Sequence, residues 1–330
     1  MPVAAAVAWL PWAWANAAWC FISVACFATS LVFILRNVDL PSTARLWLTC
    51  AVLAYAPVHT GLAMGNPSVV ACSLVAVAVF LASSKKPICG GLLLGVVHCL
   101  KPQLSICGLI LFAMWHYWSA FLISLIPPVI AGAVSVLPAS SLAEYWQWCD
   151  MLLANIAYSF APGNVNDPSI HNHASELLLN AQTITQLLTE NPLTSSAIIW
   201  GLVAALIGVY FLLRAAHGAS QWRDLGFFSA LTLVVTYHRY YDAQMLLLLI
   251  PFLVRNWRAE RVTVISISAC LLLVAFPSQR ALAAMLHSAA DPWSLLGAIF
   301  FRHQPIAVLS ADLLLVPWSP QRLTKSSLNA

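Results

Sequence analysis

"GLAMGNPSVVACSLVAVAVFLASSKKPICGGLLLGVVHCLKPQLSICGLILF", residues 61–112, contains three charged residues in 52 positions: Lys85, Lys86 and Lys101. They divide the stretch into apolar runs too rich in Val, Leu and Ala to be surface and too long to be strands. A water-soluble domain carries charge on about a quarter of its residues. Runs of this kind are solvated by lipid, with the lysines falling where the chain leaves the apolar layer.

The rest of the chain repeats the pattern. Of 330 residues, 61% are hydrophobic and 8% charged, and the mean hydropathy is +0.84. Apolar stretches recur at about 12–35, 46–63, 67–82, 88–100, 103–117, 119–138, 193–214, 224–237, 241–254, 261–276 and 304–318. The expected fold is an all-α, polytopic transmembrane helical bundle of about eleven spans. About 20 apolar residues cross a bilayer as a straight helix, so the shorter stretches predict short or broken helices, which membranes tolerate where a protein or water cavity covers the break. One transmembrane domain covers 1–330, with an outer loop at about 139–192. In that loop, "ASELLLNAQTITQLL" at 174–188 reads as an amphipathic helix lying on the membrane surface.

Charge orients the bundle. Alternate gaps hold eleven basic residues: Arg36, Arg45, Lys85, Lys86, Arg214, Arg223, Arg255, Arg258, Arg261, Arg322 and Lys325. The opposite gaps hold four, Lys101, Arg239, Arg280 and Arg302. The positive-inside rule places the eleven in the cytoplasm, the N-terminus outside and the C-terminus inside. An outside start without a basic leader predicts a helix and outer loop upstream of Met1. The formal charge of +4 comes in ones and twos and forms no nucleic-acid stripe. The nine cysteines include no C-x-x-C pair and read as small core residues.

On this orientation the polar interruptions collect at the outer ends of helices: Gly65-Asn66-Pro67, Lys101-Pro102-Gln103, His171-Asn172-His173 and His238-Arg239-Tyr240-Tyr241-Asp242. That is the pattern of one outward-facing cavity. Lys101 is either a snorkelling interface lysine or a cation facing a cavity, able to hold a phosphate. His238 and Asp242, four apart, share a helix face and make an acid/base pair in which the carboxylate fixes the imidazole tautomer; the alternative is an aromatic belt with a surface ion pair. Arg239 has the fork geometry for phosphate. Asn66 either bonds a ligand or caps the next helix. His171 and His173 lack a third ligand, so no metal site is expected.

The block quoted at the start resembles glycosyltransferase family 87, also known as domain of unknown function 2029: a Gly-Asn pair opening a helix, a short basic turn, "GGLLLG", then "LKPQ". "YHRYYDAQMLLLLIP" at 237–251 is similar to the family's Tyr-Asp segment, and the likeness runs from about residue 10 to about 320. The resemblance implies a GT-C-like fold and transfer of a hexose from a polyprenyl-phosphate-linked donor to a lipid or glycan acceptor on the outer face of the membrane, in a bacterial inner membrane. Membrane lipids, the donor and the acceptor are the partners; nucleic acid is not. The lipid-linked sugar is a co-substrate and no cofactor is called for. Lys101, Arg239, Gln103 and Asn66 would bind the donor phosphate, and Asp242 with His238 would activate the acceptor, in a direct, inverting displacement. The family's usual loop acid lies upstream of this chain's first residue, so little activity is expected of residues 1–330 alone. The alternatives are a transporter or flippase for a polar lipid, against which no inverted repeat is visible, or an inactive structural relative.

Overall fold

The computed structural model describes residues 9–169, 172, 178–189, 191–235, 238–275 and 302–318. In chain order the elements are α1 (Trp12–Arg36), α2 (Ser42–Leu53), α3 (Ala56–Ala63), α4 (Ser68–Ser83), α5 (Pro87–Leu100), α6 (Pro102–Met114), α7 (Trp118–Ser124), α8 (Ile126–Val136), α9 (Leu142–Ser159), the single turn α10 (Gln182–Thr185), α11 (Pro192–His217), α12 (Gln221–Val235), a 3-10 helix (Tyr240–Leu249), α13 (Ile250–Asn256), α14 (Arg261–Ala275) and α15 (His303–Leu315). Every apolar stretch of the sequence has become a helix or a pair of helices. Among the described residues three helical stretches, Trp12–Arg36, Trp118–Val136 and Leu193–His217, are long and apolar enough to cross a bilayer unaided, or four with the bent α2–α3 pair.

The breaks have local causes. Between α2 and α3 the axis bends by 45°. Pro57, at the start of α3, cannot donate to the preceding turn and clashes with the carbonyl four residues back. That carbonyl, Leu53 O, is taken by the ring of His59. After α3, Gly65 turns the chain with φ +58°, a left-handed conformation that needs no β-carbon. Between α5 and α6, Lys101 is extended, φ −147° and ψ 85°, as a residue before proline must be.

α4 and α12 form the centre. Thirteen of the sixteen residues of α4 are buried, as is every residue of α12 from Arg223 to Val234. A helix apolar on all sides belongs inside a bundle. α5 lies between α4 and α7. An added β-carbon at Gly91 would stand 2.5 Å from Ala120 O, so glycine there sets how near α5 and α7 approach.

The two ends of the bundle are chemically distinct. At one end Arg255 donates to Asn37 O and stacks on Trp222, Arg223 pairs with Glu260, and Asp224 accepts from Arg214, Tyr210 and Trp115. The other end gathers residues 66–68, 101 and 238–242. This sorting of contacts parallels the eleven-to-four sorting of basic residues.

The segment 139–192 departs from expectation. The amphipathic helix expected at 174–188 is not found over 178–188: Leu178 bridges Arg239 in a strand-like pair, Leu179 and Asn180 are buried, and only Gln182–Thr185 turn as a helix. Leu179 N–H donates to His238 O and Ala181 N–H to Val234 O. Tertiary backbone bonds have drawn an amphipathic sequence inward; residues 174–177 lie outside the described residues. The exposed helix of this segment is α9, with no buried residue. Ser141 caps it by accepting from Glu144 N–H, and hydrogen bonds from Ser140 hold the Glu144 carboxyl below its usual range.

Candidate functional site

Three breaks meet at one end of the bundle. Gly65-Asn66-Pro67 brings Ser68 to the first turn of α4, the Lys101-Pro102 break carries a lysine into the space above it, and the 3-10 helix begins beside both. Lys101 Nζ donates to Ser68 Oγ at 2.6 Å and to Asp242 Oδ1 at 2.7 Å, and stands 5.1 Å from the centre of the Tyr241 ring. Asp242 Oδ2 lies 3.2 Å from His238 Nδ1 and accepts from Arg239 N–H at 3.1 Å. The Asp242 side chain is 1% exposed, that of His238 0% and that of Lys101 14%.

Asp242 is the hub. A buried carboxylate is tolerated only if its oxygens are satisfied, and here a cation, an imidazole and a backbone N–H converge on it. A carboxylate on Nδ1 selects the tautomer that carries its proton there and its lone pair on Nε2. The 3-10 conformation matters to this geometry. Runs beyond three or four residues are uncommon, yet Tyr240–Leu249 runs for ten. Its first turn is pinned by the Asp242 carboxylate on Arg239 N–H, its flank by Tyr55 OH on Ala243 O, and its interior by Gln244 Nε2 on Ser73 Oγ at 2.9 Å.

Lys101 has three N–H donors. Among the described residues two are taken, by Ser68 and Asp242. The remaining donor and the partial exposure are what an anion would meet.

Of the residues singled out by sequence, Lys101, His238 and Asp242 are in direct contact, and Asn66 joins them through Ser68. Its Oδ1 accepts from Ser68 N–H at 3.0 Å and from Ser68 Oγ at 2.5 Å. Asn66 thus shapes the start of α4 and orients the hydroxyl that Lys101 uses. Gln103 is half-buried on the first turn of α6. Arg239 contributes its backbone to Asp242, while its guanidinium donates to Val165 O in the segment 139–192 at 3.2 Å. His171 and His173 lie outside the described residues. Sequence reading missed Ser68; its place two residues after Asn66, across a proline, is an Asx-turn signal that could have found it. It also missed Val165, whose role rests on a backbone carbonyl that any residue supplies.

The model of glycosyltransferase family 87 matches residues 1–238. Asn66, Lys101, Gln103 and His238 fall within the match; Arg239 and Asp242 lie just past its end. No curated protein matches the chain, and no solved structure does.

Proposed function

The chain belongs to glycosyltransferase family 87, and from that footing we propose that this membrane glycosyltransferase moves a hexose from a polyprenyl-phosphate-linked donor to a lipid or glycan acceptor on the outer face of the membrane, with inversion. The observation that carries the reading is the Lys101–Asp242–His238 cluster at the end of the bundle opposite most of the basic residues. The protein is taken as a single transmembrane domain in a bacterial inner membrane.

The leaving group is a phosphate that gains charge as the glycosidic bond breaks. Lys101, through its remaining donor, and Arg239 offset that charge, and a lysine already aimed by Ser68 and Asp242 needs no reorganisation when the charge develops. Gln103 and Asn66 line the donor side. The acceptor hydroxyl needs a base. The Asp242–His238 pair supplies it, with the carboxylate fixing the imidazole. One displacement, with the acceptor oxygen bonding to the anomeric carbon as the phosphate oxygen departs, inverts that carbon. The tail of the donor lies in a groove open to lipid, and the segment around Val165 covers the acceptor.

The test uses membranes carrying the full-length protein, a synthetic polyprenyl-phosphate hexose and extracted acceptors. Membranes with the protein should transfer hexose and those without should not. The product should have the anomeric configuration opposite to the donor. Lys101→Ala and His238→Gln should each lower transfer by about 100-fold or more, as expected for loss of a charge-stabilising or proton-accepting group. Transfer unchanged in both variants at equal protein levels would show that the site lies elsewhere. Movement of the intact lipid-linked sugar across the bilayer, without transfer, would favour a flippase.

A further inference from the structure

The helix α9, Leu142–Ser159, has no buried residue, yet all four of its strongly polar side chains share one side. At 100° per residue, Leu142, Tyr145, Cys149, Leu152, Leu153 and Ile156 fall on one face. Glu144, Gln147, Asp150 and Asn155 fall on the other, with Met151, Tyr158 and two alanines among them. Trp148 and Trp146 stand on the two boundaries between the faces. Leu142 is 69% exposed and Leu153 62%, and Tyr145 and Cys149 are half-buried, so among the described residues nothing buries the apolar stripe.

What covers it follows from where the helix starts. The span Trp118–Val136 precedes it, and the last helix of that span, α8, also has no buried residue. Its exposed Val129, Ile130 and Val134 are lipid-facing, because this is a membrane protein and the segment is a candidate span. After Leu137 and Pro138 the chain stops that helix and starts a new one, with Ser141 accepting from Glu144 N–H and Glu144 accepting from Ser140 N–H. The apolar surface of a span therefore continues into the stripe of a separately capped helix. Tryptophan at the borders of such a stripe is the signature of the headgroup boundary, where one edge of the ring is wet and the other apolar.

We infer that α9 lies in the plane of the membrane interface, its Leu142–Ile156 stripe in the acyl boundary, and that it fixes the leaflet and depth at which the Lys101–Asp242 cluster opens. The link to the cluster is short. Beyond Ser159 the Asp167 side chain braces a turn by accepting from Gly163 N–H at 2.7 Å and Ser169 N–H at 2.9 Å, and Val165 in that turn accepts from Arg239. The polar face carries two acids, and the chain has no Lys or Arg from 102 to 213. The partner is thus the apolar boundary of an uncharged or zwitterionic surface, and no anionic lipid is recruited. The inference rests on membrane embedding and is independent of the reaction.

Nitroxide labels placed one at a time at 142, 149, 153 and 156, and at 144, 147, 150 and 155, in an otherwise cysteine-free full chain reconstituted in phosphatidylcholine vesicles, test it by power saturation. All eight positions are on a helix without buried residues, so the labels displace no core. The first set should be relaxed more by oxygen and the second more by a water-soluble nickel chelate, with a 3.6-residue period. Replacing a third of the lipid by phosphatidylglycerol should leave the pattern unchanged. Equal access of the nickel reagent to all eight would put the helix in water and overturn the inference. Exclusion of both reagents from the stripe would mean that a second copy or another protein covers it, and would overturn it equally. A deeper stripe with phosphatidylglycerol would overturn the charge argument.

Discussion

Lys101 and Asp242 neutralise each other where neither could stand alone. A buried ion pair is often no more stabilising than an apolar pair of the same volume, but removing one partner strands the other at a cost of about 3–5 kcal/mol. Lys101 is slightly exposed and Asp242 retains His238, so each single change should fall near the lower end of that range. Lys101→Met and Asp242→Leu should each lower the melting temperature in detergent, and the double variant should lose much less than their sum. Additive losses would show that the two are not paired. Asp312 makes the opposite case. It is fully buried in α15, and among the described residues neither carboxylate oxygen has a hydrogen-bond partner. An unsatisfied buried polar group costs about 1–3 kcal/mol, so Asp312→Leu should stabilise the protein by about that amount. A lower melting temperature for this variant would reveal a partner that the described residues do not contain.

Helices touch through their glycines here, and the contacts predict which substitutions hurt. Gly91 faces the backbone of α7, with no room for a methyl group between it and Ala120 O. Gly91→Ala forces the helices apart and should cost about 1–3 kcal/mol. Gly201, in α11, has nothing among the described residues within 4 Å of an added β-carbon, so Gly201→Ala should be neutral or stabilising by up to about 1 kcal/mol. Thermal unfolding of the two variants side by side checks this; equal effects would mean that α5 and α7 are not in close contact. The helices themselves were legible because a lipid solvent demands unbroken apolar runs, and the breaks because Pro57, Pro67 and Pro102 punctuate those runs. Lys101, His238 and Asp242 were legible as charged or titratable groups where none is cheap. Ser68 was not, since a serine in an apolar run can satisfy itself on its own helix and gives no warning of a long-range partner. The segment 139–192 shows the limit of periodicity. Residues 174–188 read as a two-sided helix, but backbone bonds to Val234 and His238 draw Leu179 and Ala181 inward, while the exposed helix over 142–159 was not singled out by sequence.

At the scale of the whole molecule, the chain sorts its polar groups to two ends. Asn66, Lys101, Val165 and Asp242 belong to one, and Lys85, Asn37 and Arg258 to the other by contact or by adjacency along short helices. Single cysteines at 165 and at 85 or 258, in a cysteine-free background, should react with an impermeant reagent from opposite sides of the membrane, 165 from outside by the positive-inside bias. Reaction of 165 and 258 from the same side would undo the two-ended arrangement. The separation of the hub's partners also has a consequence for biogenesis. Lys101 and Asp242 lie 141 residues apart, and at about 5–20 residues per second roughly 7–30 s of synthesis separate them. Throughout that interval the nascent α5–α6 hairpin carries an unmatched lysine, at about 2.5–3.5 kcal/mol if it reaches the bilayer centre. The ribosome must deliver the 3-10 helix before this corner of the bundle can close, so a chain stalled before Tyr240 is a natural client for membrane chaperones and proteases.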